Sequence, residues 1–214
     1  MEQMNTDRAC VLVFAKISAS ISHEIKNTLS IINENAGLLE DFAQMAEEDG
    51  GVAVERVYTV TKTIAKQVDR ANIIMKNLNR FAHSADTSLA HGSLDDLLQL
   101  VVALTGRQAD MKKLTTTLIC PPGVALTTYL ISLESLVYLS LLTLFKTAQE
   151  NSEITIEAIN EGTTISMSFT LHENADLSSS SYPDTEQKLL AEQLGASWKC
   201  EKNRLFLTFP AVIG

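Results

Sequence analysis

A chain of 214 residues can bury the core of one large domain or two small ones, and an apolar content of 45% excludes a disordered chain. A formal net charge of −9 argues against nucleic acid or an anionic membrane surface as the main partner. Three widely separated cysteines (Cys10, Cys120 and Cys200) suit a reducing compartment and form neither a disulfide framework nor a zinc pattern.

Met1 to Arg8 is polar, and the apolar run Val11 to Ala15 is too short for a signal core. From Ala9 to Met45, Phe14, Ile17, Ile21, Ile25, Leu29, Ile32, Ala36, Leu39 and Phe42 step by three and four, which predicts one long helix with an apolar stripe. Glu47 to Gly51 reads as a polar turn. Val57, Thr61, Ile64, Val68, Ala71, Met75, Leu78 and Ala82 then repeat at heptad spacing, predicting a second helix. Two helices joined by a short turn make an antiparallel hairpin that cannot enclose a core alone. Pairing of two hairpins into a four-helix bundle, and so a homodimer, is the expected remedy.

The rhythm changes after about residue 92. Ser93 and Asp96 predict a capped helix to about Arg107. Leu114 to Cys120 reads as a strand, Pro121-Pro122-Gly123 as a turn, and Ser132 to about Gln149 as an apolar helix. The apolar stretch Tyr129 to Phe145 is interrupted by Ser132, Glu134 and Ser135 and is too short to span a bilayer. Ile154–Ile159 and Thr164–Leu171 read as strands joined at Asn160-Glu161-Gly162; Ser178 to Ser181 as a loop; Asp184–Leu194 as a helix; Trp198–Cys200 and Leu205–Phe209 as strands. The fold class is therefore α+β: a helical dimerisation hairpin over 1–88, then an α/β sandwich over 89–214. Neither membrane nor nucleic acid is an expected partner, and the expected location is the cytoplasm.

On the first helix, at roughly 100° per residue, His23 lies opposite the apolar stripe, and Asn27 and Ser30 share its face. Metal binding is a poor reading of His23, because a zinc helix motif needs a second histidine where Asn27 stands. A neutral imidazole is a competent nucleophile toward phosphorus near neutral pH. Glu24, beside it, can hold the ring or balance charge.

Ser22-His23-Glu24-Ile25-Lys26-Asn27-Thr28-Leu29 resembles the phosphoacceptor box of two-component histidine kinases, with Thr28 where that family has proline. The order of hairpin and α+β domain resembles the same family. The resemblance implies that His23 carries a phosphoryl group and that Asn27 orients a water. Counting evenly outward from a turn at Gly51 brings Arg80 level with His23, where it can meet a phosphoryl group or an acidic partner; Ser30 and Arg80 are thus the expected partner-binding residues.

The same resemblance implies an ATP site whose residues are absent. Ser140 and Leu144 stand where the family has paired asparagines, and leucine cannot ligate magnesium. The family's Asp-x-Gly-x-Gly maps onto Glu173-Asn174-Ala175-Asp176-Leu177, and no glycine lies between Gly162 and Gly195. The combination resembles dimeric bacterial histidine phosphotransferases. It implies a phosphorelay protein with no cofactor of its own, its partners being receiver domains that supply Mg2+. A receiver scaffold or phosphatase module using Asn27, and a divergent ATP-dependent kinase, are the alternatives.

Overall fold

The computed structural model describes residues 2–49, 51–173, 176–177 and 180–213. Gly50 of the expected turn, Asn174 and Ala175 of the expected glycine box, and Ser178 and Ser179 of the serine loop lie outside them. The elements run α1 (Glu2–Asp49), α2 (Val54–His83), β1 (Ala90–Ser93), α3 (Leu94–Met111), β2 (Thr115–Ile119), β3 (Ala125–Thr128), α4 (Leu130–Thr147), β4 (Glu153–Asn160), β5 (Thr164–Leu171), α5 (Thr185–Gln193), β6 (Ser197–Glu201) and β7 (Arg204–Pro210). The mixed α+β class read from the sequence is the observed one. The chain divides into two compact units, Ser18–Leu78 and a second made of Met1–Ile17 with Asn79–Gly214.

The first unit is the distal part of the hairpin. Proline-free sequence keeps α1 continuous. At the position where the resembling box has proline, Thr28 is buried, and its hydroxyl donates to the Glu24 carbonyl at 3.0 Å. That carbonyl is the acceptor a proline would leave without its backbone partner. Ile21 and Thr28 of α1 and Val60 and Ile74 of α2 are buried. Of the heptad seam of α2, Ile64, Ala71 and Leu78 are half-buried, whereas Val57, Val68 and Met75 stay exposed, as does Leu29 on α1. At roughly 100° per residue, Val57, Val68 and Met75 stand about a quarter-turn from Val60 and Ile74.

The second unit joins the hairpin base to the α+β layers. Ala9, Val13, Ile17 and Phe81 are buried, Phe14 stacks on Phe81 with centroids 6.3 Å apart, and Cys10 Sγ lies 3.8 Å from Ser132 Oγ on α4. The expected boundary at 88/89 therefore falls inside this unit; the base of each long helix packs with the α+β layers. The main sheet has order β2-β4-β5-β7-β6, with β2 parallel to β4 and the other pairs antiparallel. Burial alternates along it, so Ile154, Ile156 and Ala158 of β4 face inward with Ile165, Met167 and Phe169 of β5 and Leu205, Leu207 and Phe209 of β7. The helices α3, α4 and α5 supply the opposing core, including Leu98, Leu133, Leu141 and Leu190. The apolar helix α4 is long and apolar enough to cross a membrane by composition, but 67% of it is buried within the fold.

Local chemistry sets the ends of these elements. Ser93 caps α3 by accepting from the Asp96 amide at 3.4 Å, and α3 runs on to Met111. Asp184 and Gln187 form a reciprocal capping box on α5, where Asp184 accepts from the Gln187 amide at 2.9 Å. Gly162, at φ +87°, turns β4 into β5. The antiparallel pair β1–β3 was not expected, since four-residue strands are too short for periodicity to register.

Candidate functional site

His23 is exposed on α1, and Asn27 and Ser30 are exposed with it, as the helical spacing requires. The Ser30 hydroxyl donates to the Lys26 carbonyl at 3.0 Å, within its own helix. Glu24 is turned partly inward, with its side chain 19% exposed, and its Oε1 accepts from Arg70 Nη2 of α2 at 2.9 Å. The site is thus a solvent-facing imidazole and amide, flanked by an ion pair that links the two helices.

Arg70, which was not among the expected site residues, is the guanidinium bonded to the box. Midway between residues 24 and 70 lies residue 47, still inside α1. An even count centred on Gly51 would set residue 78 level with Glu24, so the bridge to Arg70 lies eight residues short of it. Arg80 belongs to the other unit, where Nη2 donates to the Asp96 carbonyl at 3.5 Å. Nothing in the sequence singled out Arg70; the signal available was its charge opposite that of Glu24.

Arg80 also lines a cleft of about 360 Å³ with His83, Ser84, Asp96 and Glu134. Glu134 is buried on α4; its Oε1 accepts from Ser84 Oγ at 2.9 Å, while Oε2 has no hydrogen-bond partner. Burial pushes this carboxyl up to about 8, against smaller opposing effects from the Ser84 bond and the Arg80 charge. The folded state then holds a proton that the unfolded state releases above the ordinary glutamate range. Stability contributed here is present at low pH and is lost as pH rises toward about 8. Glu134→Gln should remove that slope and stabilise the protein at pH 8 by on the order of 1–3 kcal/mol, read by urea denaturation across pH 5 to 9.

Ser140 and Leu144, the positions that the resemblance sets against the kinase asparagines, lie on α4. Both are fully buried. Ser140 Oγ donates to the Leu136 carbonyl at 2.8 Å and lies 3.4 Å from the Tyr182 hydroxyl, whose own acidity is weakened by burial, its pKa pushed up to about 12. The cleft beside them, about 370 Å³, is lined by Thr143, Lys146, Thr147, Ser180, Ser181, Asp184 and Gln187. Inward-facing serine and leucine offer no ligand to magnesium there. Among the described residues no group of three or more His, Cys, Asp or Glu side chains is placed to hold a metal.

No family model matches this sequence, and no curated protein matches it. Solved structures do resemble it in fold. The catalytic domain of the histidine kinase ThkA aligns over 60% of this chain and 100% of its own length, at TM-score 0.51 and 10% identity. A bacterial phosphotransferase solved at 1.7 Å aligns over 92% of this chain and 95% of its own, at TM-score 0.50 and 16% identity. The chain has a histidine-kinase-like fold, two long helices followed by an ATPase-type α+β domain.

Proposed function

We propose that this protein is a histidine phosphotransfer protein, which accepts a phosphoryl group from one receiver-domain aspartate on His23 and passes it to another without using ATP. The observation that carries this reading is a contrast within one fold. His23 is exposed beside Glu24 and Asn27, while Ser140 and Leu144, which stand where the resembling kinases have paired asparagines, are buried. The bacterial phosphotransferase, alike over most of both chains, is a neighbour whose activity agrees with it.

In the proposed reaction the imidazole lone pair attacks phosphorus of the donor's acyl phosphate. The N–P bond forms as the P–O bond to the donor carboxyl breaks, and the donor leaves as a carboxylate. The receiver's Mg2+ stabilises the charge on the phosphoryl oxygens, and this chain supplies a positioned ring and a docking face. The exposed stripe of Val57, Val68 and Met75 with Leu29 supports a homodimer, since a second hairpin would cover it. The test is transfer of label from a purified phosphorylated receiver domain, with His23→Gln as the control.

A further inference from the structure

Phosphorylation of His23 would bring a group of charge near −2 next to the carboxylate of Glu24. In a water-like medium at about 6 Å, each unit of unbalanced negative charge disfavours the phosphorylated state by roughly threefold. Glu24 is not a free carboxylate. Its Oε1 is held at 2.9 Å by Arg70, a residue that neither the phosphoacceptor box nor the proposed reaction assigns. The Arg70 side chain remains half exposed, so its charge faces the same solvent as the imidazole does. Lys66 and Lys62 stand one and two turns before it on the exposed part of α2 and add positive charge to this side of a chain whose net charge is −9.

We infer that Arg70 is a positioning residue: through its bridge to Glu24 it balances the carboxylate and so allows His23 to hold a phosphoryl group. The inference rests on the phosphotransfer reading of His23. Its chemistry adds no reactant. Arg70 stays protonated throughout, and the bond changes remain those at the imidazole nitrogen and phosphorus.

The test uses two donors, a phosphorylated receiver domain and phosphoramidate, a small molecule that gives its phosphoryl group to imidazole and leaves as ammonia. The phosphorylated fraction of His23 and the lifetime of the label are measured in the full chain, with thermal melts to show that each variant is folded. R70Q should hold three- to tenfold less label than the unmodified protein with either donor. R70K should recover most of the loss, and E24Q/R70Q should hold more label than R70Q, because no carboxylate then needs balancing. R70Q labelled like the parent would overturn the inference, and so would a double variant no better than R70Q, which marks a merely structural bridge. A parent protein that takes label from neither donor would instead overturn the phosphotransfer reading beneath it.

Discussion

His23→Gln should lose all detectable label from a phosphorylated receiver, a fall of at least about a hundredfold in transfer rate. The amide nitrogen of glutamine has its lone pair delocalised into the carbonyl and does not attack phosphorus. The position is an exposed helix face, so the substitution should change stability by no more than about 0.5 kcal/mol. Loss of label therefore reports chemistry and not unfolding, which a thermal melt checks. Asn27→Ala should keep the label, because the amide is assigned no part in the attack. The reverse pattern separates the phosphatase alternative: receiver dephosphorylation that survives His23→Gln but fails in Asn27→Ala would favour a module that only positions water.

Placing charge on the uncovered seam should have the next largest effect. Val68 and Met75 are each 44% exposed in the single chain, and Leu29 is 56% exposed. Val60 and Ile74 are the buried apolar residues of this helix's distal part, so Val57, Val68 and Met75 form spare apolar surface. In a four-helix bundle Val68→Glu and Met75→Glu would bury two unpaired carboxylates per chain, each costing several kcal/mol. The double variant should run as a 23.4 kDa monomer in light scattering, where the parent runs at twice that mass. The hairpin of the single chain should keep its helicity, because neither residue lies on the buried stripe. A monomeric parent, or a double variant that stays dimeric, would remove the four-helix bundle from the account.

Much of this architecture was legible in the sequence because its signals are periodic. The steps of three and four in α1, the alternation in β4 and β5, and the Ser93 and Asp184 caps each arise from local chemistry. Register between the helices was not legible, since the spacing along each helix says nothing of how far one is shifted against the other. That is why Arg80 was expected where Arg70 stands. The buried pair Val60 and Ile74 of α2 was not among the seam residues, because heptad spacing does not say which partner a stripe faces. Glu134 read only as an interruption in an apolar helix; its burial appears once the end of α2 brings Ser84 to it. Ser140 and Leu144 were expected only to lack the side chains that hold magnesium; that both are buried in the core appears from the fold.

The central claim is that His23 is loaded by another protein and not by ATP. Incubation of the purified protein with radiolabelled ATP and Mg2+ in one arm, and with a labelled phosphoreceiver in the other, tests it most directly. The account predicts acid-labile label on the protein in the receiver arm alone. Label from ATP with no receiver present would contradict it.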